Sequence, residues 1–114
     1  AYPATGSDID SAWSFNPGDS DSGNRTFNST NCTLDIGATT LDNASYADTG
    51  PSGGFITCAM KSAPTPAKPQ MMFCAEIIDG GLAWNGASAD FEIMVPTDEA
   101  WNATETYSFY LNLD

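Results

Sequence analysis

A chain of 114 residues holds one domain and is too short for two, and its 41% hydrophobic content is enough to supply a core. Fifteen Asp and Glu against three Lys and Arg give a formal net charge of -12. Such a surface repels phosphate backbones and anionic lipid, which excludes nucleic acid as a partner and disfavours membrane surfaces. No stretch reaches the ~20 apolar residues that span a bilayer, so no membrane insertion is expected.

Taken in order, the chain is dominated by period-two patterns and shows no clear helical stripe. Residues 9–15 place Ile9, Trp13 and Phe15 on one face of an expected first strand. Residues 16–24 form a loop of turn formers, and a strand is expected around 26–36, where Cys32, Leu34 and Ile36 share a face. A weaker strand fits 38–42, and 43–53 reads as turn-rich.

The run at 55–61 is a further strand, and the three prolines of 62–69 make that segment a connector. Residues 70–78 are nearly apolar on both faces and read as a central strand. Phe91, Ile93 and Val95 line one face of 89–95, and Tyr107, Phe109, Leu111 and Leu113 alternate along the last element. The expectation is an all-β chain: one antiparallel immunoglobulin-like β-sandwich of about seven short strands over residues 1–114.

Five of the eight asparagines, Asn24, Asn28, Asn31, Asn43 and Asn102, lie in Asn-x-Ser/Thr. Chance predicts roughly 1.6 such acceptor sites at this Ser and Thr content. Covalent N-glycans are therefore expected, and with them a secreted, extracellular or cell-surface location. The start at Ala1 fits a precursor whose leader has been removed.

Of the three cysteines, Cys58 and Cys74 are equidistant from the middle of the Pro-rich connector, so a hairpin sets them opposite each other. This favours a Cys58–Cys74 bridge with Cys32 free or paired to another subunit. Pairing of Cys32 with Cys58 or Cys74 between two sheets is the alternative, and three reduced core thiols is the plainest reading. Asp19 and Asp21 alternate before Gly23 and make a calcium candidate, although an ordinary solvated loop explains them as simply.

There is no histidine, no phosphate-binding glycine loop and no dinucleotide fingerprint, so an enzyme is not expected. Trp13 fits a core position; Trp84 and Trp101 lie in turn-like contexts and are the better candidates for stacking on sugar rings, although core or interface packing is the favoured reading for each. The pattern as a whole reads as a structural subunit of an extracellular glycosylated filament or pilus. Its partners are copies of itself, joined by strand exchange, with residues 1–15 either the donor strand, anchored by Ile9, Trp13 and Phe15, or an ordinary first strand of their own sandwich. In this general plan the chain resembles the glycosylated donor-strand threads and bundling pili of archaea. A secreted carbohydrate-binding or adhesion module, and a virion or cell-surface coat glycoprotein domain, are the alternatives.

Overall fold

The computed structural model describes residues 2–51, 55–96 and 106–111. It shows a mixed α/β fold with an open sheet: β1 (Tyr2–Pro3), α1 (Gly6–Trp13), α2 (Gly23–Thr26), β2 (Ser29–Ile36), β3 (Thr39–Asp48), β4 (Ile56–Lys61) and β5 (Met71–Ala75). This overturns the expected immunoglobulin-like β-sandwich, and with it the resemblance to archaeal threads and pili.

The first correction is local. Residues 9–13 form the second half of a helix and not a donor strand. The Thr5 hydroxyl accepts from the Asp8 amide while the Asp8 carboxylate accepts from the Thr5 amide, a closed capping box. Ile9 and Trp13 are four residues apart, a spacing that satisfies one face of a helix and one face of a strand alike. The cap decides between them, and Ser14 ends the helix in the left-handed region at φ 58°.

Residues 2–3, at the start of the expected donor segment, pair within their own sheet, Tyr2 opposite Lys61 and Pro3 opposite Met60. Ile9, Trp13 and Phe15 all pack against the chain's own core. The strand-exchange filament therefore loses its anchors.

The five strands are antiparallel throughout, and β4 is their centre. One side of β4 carries β5; the other carries β3 along its first half and β1 along its second. The segment expected to be the central strand is thus the edge strand β5, shorter than the apolar run suggested. The long apolar run served packing on two faces of an edge, with Met71 turned to the helices and Met72 turned away. Residues 43–48, expected as turn, continue β3.

The helices lie on one face of the sheet. There Ile9 and Phe27 pack on Ala47, Ala59 and Met71, with Trp13 and Phe15 against the cluster. Phe73 brings its ring 6.3 Å from Trp13 and 5.5 Å from Phe27. The other face carries a second cluster of Cys32, Leu41, Ala44, Cys58 and Met60. Helix α1 meets α2 through two glycines: a Cβ on Gly23 would lie 2.6 Å from the Ile9 Cβ, and one on Gly6 2.7 Å from the Asn24 Cα. Lys61 at the end of β4 donates to Asp8 at 2.9 Å and ties the first turn of α1 to the sheet.

Beyond β5 the chain forms a small hairpin at 82–88, anchored where Gly50 meets the Leu82 backbone and where Ala83 is buried. The strands expected at 89–95 and 107–113 do not form among the described residues. Phe91, Ile93, Val95, Tyr107, Phe109 and Leu111 stand exposed, with Phe91 and Phe109 in ring contact. Leu113 falls outside the described residues. Alternation specifies a strand only when a neighbouring strand satisfies its amides, and none is in place here.

Gly23→Ala is expected to lower stability by about 2 kcal/mol through overpacking at Ile9, read as a shifted urea midpoint with unchanged slope. Burial alone raises the Asp8 carboxyl, but the Lys61 and Thr5 hydrogen bonds and the Lys61 charge outweigh it and hold it below its ordinary value of 3.8. Folded Asp8 therefore binds its proton less readily than the unfolded chain does. Its contribution is complete above that ordinary value and is lost as pH falls through the lower folded one. Asp8→Asn should be less stable than the native chain at pH 7, and the gap should close in urea titrations below about pH 4.

Candidate glycan-bearing surface and cysteine cluster

Asn24 is the second residue of α2, whose first turn is held by two acceptors. The Ser22 hydroxyl accepts from the Arg25 amide at 3.2 Å, and the buried Asp10 carboxylate accepts from the Gly23 and Asn24 amides at 2.6 and 3.0 Å. The backbone of Asn24 faces Asp10, and the residue is solvent-exposed. Asn28 is also exposed, in the link between α2 and β2.

Asn31 and Asn43 belong to the β2–β3 hairpin, whose two-residue turn carries Gly37 at φ 59°. Ser29 pairs with Tyr46, Cys32 with Ala44, and Leu34 with Leu41. One extra residue therefore lies in β2 between 29 and 32, and one in β3 between 41 and 44. Asn31 at φ 70° and Asn43 at φ 61° are the left-handed residues of these bulges, and both are exposed. Asparagine tolerates that conformation better than other non-glycine residues. The bulges let Leu41, Ala44 and Tyr46 all face the cysteine cluster even though Leu41 differs in parity from the other two.

Thus the four acceptor asparagines among the described residues are exposed, and two of them sit in bulges that point away from the core. Asn102 lies outside the described residues, as does Trp101. The sequence held a signal for the bulges that the period-two reading passed over: a strict alternation from Leu41 to Tyr46 would put Ala44 and Tyr46 on the face opposite Leu41.

The sulfurs gather under the open face of the sheet. The β4–β5 register does set Cys58 opposite Cys74. The disulfide nevertheless joins Cys58 to Cys32, with their Cα atoms 6.0 Å apart, and Cys74 holds the thiol. The bridge thus corrects the favoured Cys58–Cys74 pairing. Cys32 on β2 reaches Cys58 across the intervening β3, where Ala44 faces Cys32 and Tyr46 faces Cys58. Burial pushes the Cys74 thiol up, and its Sγ lies 3.2 Å from the Met60 sulfur.

The Asp19 carboxylate accepts from the Asn16 amide at 3.0 Å, and its backbone carbonyl accepts from Ser22 N, so this loop is organised around its own turns. Among the described residues no group of three or more His, Cys, Asp and Glu is placed to hold a metal ion, including around Asp19 and Asp21. A shallow depression of about 380 Å³ is lined by Ser7, Asp10, Ser11, Ser14, Phe15 and Pro17. Its carboxylate is the one already occupied by the amides of α2.

Trp13 packs in the helix-side core, as its sequence context suggested. Trp84 is 73% exposed at the hairpin tip beside Asn85 and Gly86, and its amide donates to Glu92 at 3.2 Å. The exposed side chains of β5, Met72 and Phe73, lie on the opposite sheet edge from β2, and the exposed Ile77 and Ile78 follow β5 in the chain. Among the described residues, no helix is long and apolar enough to cross a membrane. Comparison with protein-family models, curated proteins and solved structures finds no match.

The bulge geometry separates two ways of deleting an acceptor. Asn43→Gly keeps the left-handed residue and is expected to hold stability within about 0.5 kcal/mol, while Asn43→Gln is expected to lose about 1 kcal/mol more, both measured on unglycosylated protein in urea.

Proposed function

We propose that this chain is an extracellular N-glycosylated contact domain, which works by presenting an apolar protein-binding edge and not by catalysis. One observation carries this reading. The acceptor asparagines of the described sheet lie on β2 and β3, whereas most of the exposed large apolar side chains among the described residues, Tyr2 and Ile56 apart, lie on β5 and the segment beyond it.

The two edges are treated differently, as edges must be. An unpaired strand edge invites other chains, and natural proteins block it with charge, bulges or bulk. The β2 edge has all three at hand: Asp35, the Asn31 bulge, and a glycan on Asn31. The β5 edge offers Met72 on one face and Phe73 on the other, each 42% exposed, followed by Ile77 and Ile78. Exposed apolar side chains gathered along one edge strand and its continuation mark a protein contact more often than a ligand cleft.

The missing histidine and the engaged Asp10 support a non-catalytic reading. A second copy of the chain is the partner we infer first. With a formal charge of -12 on each copy, such association is opposed at low salt and released when the charge is screened.

Two measurements test this. Peptide mass spectrometry of protein from a secreting host should find glycan on Asn24, Asn28, Asn31 and Asn43; four bare asparagines would remove the extracellular reading. Sedimentation should show association that grows between about 0.1 and 1 M salt and is lost in Met72→Lys. A monomer at both salts would exclude self-contact, and sugar binding that disappears in Trp84→Ala would move the contact to the hairpin tip and make the partner a carbohydrate.

A further inference from the structure

The three cysteines form one connected set. Cys58 and Cys74 are direct cross-strand partners, so their side chains leave the sheet on the same face. Cys58 is bonded to Cys32, and Cys74 packs against the cluster that buries that bond. Facing residues of an antiparallel pair hold their Cβ atoms about 4.5–5.5 Å apart, and a disulfide needs about 3.5–4.5 Å. Cys74 is therefore about one ångström of strand closure away from bridging Cys58 itself.

We propose that Cys58 is the shared member of two interchangeable disulfides, Cys32–Cys58 and Cys58–Cys74, and that Cys74 is the thiol that interconverts them. The Cys74 thiol releases its proton to solvent, and the thiolate attacks the Cys58 Sγ. A Cys58–Cys74 bond forms as the Cys32–Cys58 bond breaks, and Cys32 departs as a thiolate that takes up a proton. One disulfide and one thiol stand on each side of the step, so no outside oxidant or reductant enters.

The exchange changes what is tethered. In one form β2, with its Asn31 acceptor, is stapled to the central strand; in the other the staple lies within the β4–β5 hairpin and β2 is held by pairing alone. The hairpin bridge closes the shorter loop, which favours it about twofold in an unstructured chain. It is thus the bridge expected to form first, with the Cys32 bridge completed once β2 and β3 are paired. Burial of the Cys74 thiol makes its thiolate scarce at neutral pH, so exchange in the folded protein should quicken as pH rises.

The test uses the full oxidised chain, held at pH 6 or pH 8.5, quenched with acid and N-ethylmaleimide, and mapped by peptide mass spectrometry. At pH 8.5 label is expected on Cys32 as well as Cys74, with Cys58–Cys74 peptides appearing at least tenfold faster than at pH 6 and at a rate independent of protein concentration. Label confined to Cys74 at both pH values would overturn the proposal, as would a rate proportional to protein concentration. Air-oxidised Cys32→Ser should contain Cys58–Cys74 and no free thiol; a folded Cys32→Ser with two labelled thiols would overturn it independently. Should that variant fail to fold, the label distribution in the native chain decides.

Discussion

The helix layer depends on the buried carboxylate of Asp10. A carboxyl group that is 5% exposed needs partners to offset its desolvation, and it finds them in the Gly23 and Asn24 amides that open α2. Those amides would otherwise lack acceptors, as the first amides of any helix do. The pairing brings α2 so close to α1 that only glycine fits at positions 6 and 23. Once α2 is fixed there, Phe27 lands on Phe73, the aromatic row closes over β4 and β5, and the chain enters β2 at a set point. An acidic residue that counts toward the net charge is thus also a structural ligand for backbone.

Much of the sheet was legible in the sequence, and most of the helix layer was not. The apolar run at 55–61, the Pro-rich connector and the facing of Cys58 with Cys74 follow from hairpin geometry and turn chemistry, and each has its counterpart in β4, the 62–70 link and the β4–β5 register. The helix at 6–13 was hidden because Ile9 and Trp13 obey two periods at once, and the deciding residues, Thr5 and Asp8, lie at its polar start. Alternation failed again at the carboxy-terminal third: Phe91, Ile93 and Val95 are patterned like a strand but have no described partner strand. A pattern states which residues would share a face; it does not supply the neighbour that makes the face.

The acceptor asparagines show how one residue answers two demands. At Asn31 and Asn43 the backbone requires a left-handed residue, and asparagine meets that requirement without any sugar. What the backbone does not require is Thr33 or Ser45 two residues on, nor two further acceptors at Asn24 and Asn28, outside the bulges. The coincidence of bulge and acceptor places the attachment points where side chains leave the strand surface at its most twisted positions.

The paired bulges bear on how the hairpin chooses its partners along its length. They shift the pairing by one residue at Cys32 and Ala44 and then shift it back, so the hairpin's ends match those of an unbulged ladder. In that unbulged ladder Cys32 would face Asn43, and Ser45 and Ala47 would join it on the cysteine side while Ala44 and Tyr46 turned away. The two arrangements share the same turn and the same outer pair, and turn geometry cannot discriminate between them. A sugar on Asn43 can, because a branched, hydrated chain has no place beside Cys32 against the sheet. A glycan joined to Asn43 before the strands close would then be a steric proofreader of strand alignment, acting on the nascent hairpin.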